Sequence, residues 1–157
     1  IYNTKRAIAI QGYYMNMIEL LGENGEIPPA WYGMYAWMAL VKSAALFGDG
    51  QKEEGYDLLK VAIDYLERNL AYKSGDPLDV GGKEMLGGIK YLFNKGVILL
   101  PDGSKEPIAY DYRMTSTIDD LYYAVTATKG WEWFNSVRNE DRFKEYIERA
   151  RKLRDKK

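Results

Sequence analysis

Three carboxylates, Glu67, Asp76 and Glu132, are the side chains of this sequence best suited to catalysis. A pair of Asp or Glu residues hydrolyses a glycosidic bond without any histidine, one carboxyl acting as acid and the other as nucleophile or base. Trp131 and Trp133 flank Glu132 and offer large apolar rings on which a sugar can stack. A carbohydrate-active protein, either a carboxylate-dependent glycan hydrolase or a glycan binder, is therefore one hypothesis.

Histidine and cysteine are absent from the 157 residues, which removes most other catalytic chemistry. Without them there is no imidazole base, no thiolate nucleophile and no His- or Cys-based metal site. We therefore expect no cofactor and no metal, and any enzyme activity would be that of an Asp/Glu-dependent hydrolase.

The same carboxylates also have simpler interpretations, which favour a protein that is not an enzyme. Glu67 fits a solvated helix face and Asp76 fits a turn. Glu132 is the one acid in a setting where desolvation, by its two tryptophan neighbours, could raise the pKa. Even so, a helix with this Trp-Glu-Trp stretch would more often bury the rings and leave the carboxylate exposed.

Aromatic residues are abundant, with 14 tyrosines and 4 tryptophans. Each ring combines apolar area with a polar group, a combination that is frequent at protein interfaces. Many of these residues, Tyr13 and Tyr14 among them, are expected to fill helix interfaces. The candidates for an exposed binding surface are Tyr110, Tyr112, Tyr122, Tyr123, Trp131 and Trp133. Our leading hypothesis is a non-enzymatic interaction or assembly module that binds another protein or itself through this surface.

Charge is unevenly distributed although the net charge is only −1. Residues 138–157 contain nine basic and five acidic side chains, so the last predicted helix, from about residue 139 to 157, is basic. Nucleic-acid binding through this helix is the third hypothesis. The more ordinary interpretation is that positive charge at the end of the helix offsets its dipole.

The sequence offers weak indications of location. Residues 28–47 are apolar and carry one charge, Lys42, but their two prolines and several polar residues favour a buried helix over a membrane span. We expect no membrane partner. The lack of cysteine favours a reducing, cytoplasmic location, while the start at Ile1 is compatible with a processed or truncated chain.

Periodicity and turn residues predict a mainly α fold: one domain over residues 1–157, built as an irregular bundle of five or six helices. The predicted helices cover residues 4–22, 30–47, 51–72, 83–94, 116–128 and about 139–157. The second and third are predicted to form an antiparallel hairpin. Residues 73–82 are predicted to be a turn-rich link.

One β-hairpin is predicted between Val97 and Tyr112. An apolar run precedes a Pro-Asp-Gly turn, and the chain then returns from Pro107. Since proline cannot donate to a strand ladder, the returning strand is predicted to lie at a sheet edge.

Overall fold

The structure is a computed structural model that describes residues 3–108 and 116–156. Within those residues six helices and one small antiparallel sheet of four strands confirm the mainly α fold with a β-hairpin. The helices are α1 (Thr4–Leu20), α2 (Tyr32–Gly48), α3 (Lys52–Asn69), α4 (Lys83–Leu86), α5 (Ile118–Thr126) and α6 (Asp141–Asp155). The strands are β1 (Pro77–Asp79), β2 (Lys90–Leu92), β3 (Val97–Leu99) and β4 (Lys105–Pro107). Two 3₁₀ segments, Pro29–Trp31 and Glu132–Ser136, precede α2 and α6.

Residues with favourable capping chemistry mark the starts of three helical segments. The side chain of Asn3 accepts a hydrogen bond from the backbone N–H of Lys5 and so caps α1. Pro29 opens the 3₁₀ turn that leads into α2, a position where the missing N–H costs nothing. At α5 the carboxylate of Asp120 accepts from the backbone N–H of Thr117 at 2.7 Å.

The prediction of a fourth helix over residues 83–94 is wrong beyond Leu86. Gly87 ends the helix after one turn with a left-handed backbone, φ 60°, a conformation that glycine adopts without penalty. The following residues, Lys90–Leu92, form strand β2 instead. The predicted link over residues 73–82 likewise contains strand β1, Pro77–Asp79.

The sheet is an antiparallel meander in the order β1-β2-β3-β4. The pair β3–β4 is the predicted hairpin, and Pro107 lies on an edge strand as expected. Tyr110 and Tyr112, which the sequence places on the returning strand, lie outside the described residues. A small cluster of buried residues covers the sheet: Ala30, Leu78, Val80, Tyr91 and Phe93.

The helical core is built around close packing of α2 against α3. A Cβ atom on Gly55 would lie 2.8 Å from the Phe47 ring, so this glycine lets the ring sit directly on the backbone of α3. The hydroxyl of Ser43 donates to the Gly55 carbonyl at 2.6 Å in the same buried contact. The Phe47 ring also meets Tyr56 and Phe134, with centroid distances of 4.9 and 5.9 Å.

Polar side chains attach α6 and the turn before it to the outside of α3. Glu140 accepts hydrogen bonds from the Tyr56 hydroxyl and from Lys52, both at 2.6 Å. Two residues further on, Arg142 of α6 pairs with Glu53 of α3. Further on, Arg149 bridges two carboxylates of α3, Asp64 at 2.7 Å and Glu67 at 2.8 Å.

Among the helices of residues 3–108 and 116–156, none is long and apolar enough to cross a bilayer. The apolar stretch that ends at Phe47 is α2, whose centre is buried by neighbouring helices.

Two glycine substitutions test the α2–α3 contact. Alanine in place of a helical glycine normally stabilises a helix by about 1 kcal/mol. We expect Gly55→Ala to destabilise the fold instead, by about 1–3 kcal/mol, because the new methyl group meets the buried Phe47 ring. Gly12→Ala is the matched control: its methyl group meets the Lys42 ammonium at 3.0 Å, and that flexible side chain can move away.

Urea unfolding followed by circular dichroism measures both changes. Equal stabilisation by the two alanines would show that the Phe47–Gly55 contact places no constraint on the fold.

Substitution of Tyr56 tests the polar attachment of the α6 region. Hydrogen bonds from Lys52 and Tyr56 lower the pKa of Glu140 below its ordinary value. A lowered carboxyl pKa contributes stability that is present at neutral pH and is lost as pH falls through the folded-state pKa. We therefore expect Tyr56→Phe to lower the free energy of unfolding at pH 7, by an amount that shrinks in acid as Glu140 becomes protonated. The control is Tyr13→Phe on α1, and a Tyr56→Phe effect independent of pH would contradict the role of Glu140.

Candidate interaction surface

Trp131, one of the predicted binding residues, packs against the helical core. Its ring lies edge-on to Trp37 of α2 at a centroid distance of 5.7 Å. It also stacks on Phe134 at 5.9 Å. Trp131 is half-buried, so most of its ring serves to attach the 3₁₀ segment to α2.

The other predicted aromatic residues are divided among separate environments. Trp133 is half-buried, and its ring lies against Gly48 at the end of α2. Tyr122 carries the guanidinium of Arg154 above its ring at 4.0 Å. Tyr123 is 68% exposed. Of the predicted set within the described residues, Tyr123 is therefore the one that offers most of its ring to a partner.

Arg138 holds the segment between α5 and the tryptophans in place. Its guanidinium donates to the carbonyls of Val125, Ala127 and Trp131 at 2.7, 2.6 and 3.0 Å. Its Nε donates to Asn135. Burial lowers the pKa of Arg138, yet four hydrogen bonds compensate its desolvation. The conformation around Trp131 thus depends on one arginine that the sequence pattern did not single out.

The three candidate catalytic carboxylates lie on three different elements. Glu67 on α3 is paired with Arg149, and Asp76 accepts the backbone N–H of Lys73 in a turn. Glu132 is exposed, and a hydrogen bond from the Gly130 N–H lowers its pKa, opposite to the direction expected for a general acid between two tryptophans. Each carboxylate thus already has a hydrogen-bond or ion-pair partner within the fold.

Two further findings concern charged groups. Within residues 3–108 and 116–156, no group of three or more acidic side chains is arranged to hold a metal ion. A broad open depression of about 720 Å³ runs along α6. Its charged lining is evenly mixed: Glu67, Asp141, Glu145 and Glu148 against Lys144, Arg149, Lys152 and Lys156. Such a mixed lining lacks the single-sign field that favours a nucleic-acid backbone.

The largest exposed apolar residues gather on the outer face of α1, which packs against α2 with its other side. The buried side contains Ala7, Met15 and Ile18. The outer face exposes Ile10 (39%), Tyr13 (63%), Tyr14 (46%), Met17 (47%) and Leu20 (84%). The prediction that Tyr13 and Tyr14 fill helix interfaces is therefore wrong. Together these five side chains expose on the order of 500 Å², as much as the largest apolar patch of a typical monomer.

Four of these residues follow a coiled-coil spacing. Ile10, Tyr13, Met17 and Leu20 are separated by three, four and three residues, the repeat that forms a seam for a second helix. We call this set, with Tyr14 beside it, the α1 seam. The sequence contains this signal, but the same helix also has an inward stripe, and periodicity alone does not say which of two stripes is buried.

A second apolar stripe lies next to α1, on α2. It consists of four half-buried residues at i, i+3, i+4 and i+7: Met34, Trp37, Met38 and Val41. To one side of it, Tyr35 donates to Glu19 of α1 at 2.6 Å. To the other side, Trp37 meets Trp131. By helical geometry the stripe therefore lies between α1 and the 3₁₀ segment Glu132–Ser136.

No family model, curated protein or solved structure matches this chain. The function is therefore inferred from the surface that the chain itself presents.

Replacement of Arg138 tests its positioning role. Lysine keeps the charge but cannot donate to three carbonyls at fixed angles. We expect Arg138→Lys to lower the free energy of unfolding by about 2 kcal/mol and to change the fluorescence of the neighbouring Trp131. Arg151→Lys, on the exposed side of α6 where its partners are Glu148 and Asp155, is the control. A similar decrease in the free energy of unfolding for both variants would mean that the carbonyl contacts of Arg138 stabilise the fold no more than the exposed ion pairs of Arg151.

Proposed function

We propose that this protein is a non-enzymatic assembly module that uses the α1 seam to bind an amphipathic helix of another protein chain. The observation that carries the proposal is the exposure of five large apolar side chains on one face of a helix whose opposite face is already packed on α2. An apolar patch of this size on a monomeric protein is often functional.

The composition of the seam supports a protein partner. It combines two tyrosines and a methionine with aliphatic residues, and aromatic residues and methionine are enriched at interfaces. Its length also suits a helix: the seam runs from Ile10 to Leu20, about 15 Å, and the whole of α1 is about 25 Å long. The 3-4 repeat then favours side-by-side packing of two helices over binding of an extended strand.

The positions of the acids support the non-enzymatic part of the proposal. Glu67, Asp76 and Glu132 each serve an ion pair or a backbone N–H within the fold. The apolar seam on α1 carries no carboxylate between Ile10 and Met17.

Site-specific photocrosslinking tests the proposed surface. A benzophenone amino acid would replace Tyr13 in the seam or, as a matched control, Tyr123 on α5, since these two residues are 63% and 68% exposed. We expect cross-links from position 13, in extracts and with the purified protein, to peptides that carry apolar residues at 3-4 spacing. The additional substitution Met17→Glu should remove them, because it places a charge inside an apolar interface.

Position 123 should give only background cross-linking. Equal yields from positions 13 and 123, or yields at position 13 that survive Met17→Glu, would overturn the proposed function.

A further inference from the structure

The charges of α1 are arranged against its own helix dipole. Lys5 and Arg6 lie in the first turn, Glu19 lies in the last turn, and Glu23 follows just after the helix. A helix is stabilised by the opposite arrangement, with acids at its start and bases at its end. We therefore expect groups outside α1 to stabilise these four charges.

Neighbours within the chain account for two of the four. Lys5 has the carboxylate of Asp49 nearby, at the end of α2. Glu19 accepts a hydrogen bond from the Tyr35 hydroxyl at 2.6 Å. Within residues 3–108 and 116–156, neither the Arg6 side chain nor the Glu23 side chain takes part in a hydrogen bond or an ion pair. One free charge of each sign thus remains, at opposite ends of the exposed seam.

We propose that the chain bound at the α1 seam is a second copy of this protein, with the two α1 helices antiparallel about a two-fold axis near Tyr13. This inference rests on the proposed function and identifies its partner. In such a pair Arg6 of each copy lies opposite Leu20 of the other, about one turn before Glu23, so the long arginine side chain reaches that carboxylate and the antiparallel helix dipoles are favourable as well. A parallel pair would place Arg6 against Arg6.

The spacing of the seam agrees with this arrangement. Arg6 precedes Ile10 by four residues and so extends the repeat to positions 6, 10, 13, 17 and 20, whose centre is Tyr13. About that centre, Ile10 of one copy lies beside Met17 of the other, and Arg6 lies opposite Leu20, the last helical residue before the turn that carries Glu23. The central positions of the seam therefore pair apolar side chains, and each charged end lies within about one turn of the opposite charge.

The exposed area also fits a homodimer of modest affinity. About 500 Å² of apolar surface from each copy, with a polar margin, approaches the lower limit of specific interfaces, about 1,200 Å² in total. We therefore expect a dissociation constant on the order of micromolar or weaker, a range in which sedimentation equilibrium resolves monomer and dimer.

Charge reversal tests the pairing of the two ends. We expect Arg6→Glu and Glu23→Arg, each alone, to weaken dimerisation at least about tenfold, because each creates two like-charge contacts per dimer. The double variant should recover, since its two charges are exchanged. An equimolar mixture of the two single variants should also form dimers, in which every contact again joins opposite charges. Circular dichroism verifies that each variant is folded, and Lys83→Glu, an exposed change on α4, is the control.

Single cysteines test the direction of the helices, because the natural chain contains no cysteine that would interfere. A disulfide needs Cα atoms within about 7 Å. Under mild oxidation Tyr13→Cys should therefore give a covalent dimer, since both copies of that position lie near the two-fold axis. Leu20→Cys should not, because its two copies lie about 21 Å apart. Rapid linkage through Leu20→Cys, or failure of the charge-exchanged mixture to associate, would overturn the antiparallel dimer.

A different result separates this inference from the proposed function. A protein that stays monomeric at millimolar concentration, yet still gives Met17-dependent cross-links from position 13 to another protein, would overturn the homodimer and leave the α1 seam as a binding surface. Loss of both the dimer and those cross-links would overturn the two together.

Discussion

The contact between the Phe47 ring and the backbone at Gly55 is the constraint on which the other helices depend. It sets how closely α2 and α3 approach, and the buried Ser43 hydroxyl fixes their register by donating to the Gly55 carbonyl. The same ring then provides the surface on which the 3₁₀ segment and α6 pack, through Phe134 and Phe143. Helices α2, α3 and α6 and the 3₁₀ segment Glu132–Ser136 thus share one aromatic cluster. The positions of Trp131 and Trp133 depend on this cluster, and so on the distance between α2 and α3.

The arginines of the α6 region explain why a basic end of the sequence does not become a basic surface. Arg149 is used by Asp64 and Glu67 of α3, and Arg138 is used by backbone carbonyls. Arg154 lies over the Tyr122 ring. Part of the positive charge that stands out in the composition therefore holds elements of the fold together, which is a structural role.

Local chemistry was sufficient to predict much of the fold. Capping by Asn3, the prolines before α2 and the turn before Pro107 each identify an element boundary from adjacent residues. The sheet was harder, since strands of three residues have too few positions to show an alternating pattern. The segment after Gly87 was accordingly predicted as helix, although it pairs with β1 and β3.

The candidate surface was less predictable than the fold for a different physical reason. The exposure of a side chain depends on which other elements pack against its helix. The sequence of the helix does not specify those elements. Ile10 and Ile18 both belong to apolar stripes of α1, yet the first faces outward and the second is buried against α2. Trp131 and Trp133 show the converse, because aromatic rings expected on a surface are instead held against Trp37 and Gly48.

The sheet has a hydrophobic cluster of its own, and Trp31 and Met34 pack against both this cluster and the helical core. The indole N–H of Trp31 donates to the Val80 carbonyl across the junction, and the Gly82 N–H donates to the Leu21 carbonyl at 2.8 Å. A connection made of so few groups permits local unfolding, in which the strands open while the helices keep their packing. In hydrogen exchange, we then expect the amides of β2 and β3 to lose protection before those of α2 and α3. The small sheet would in that case open and close on a helical body that keeps its packing.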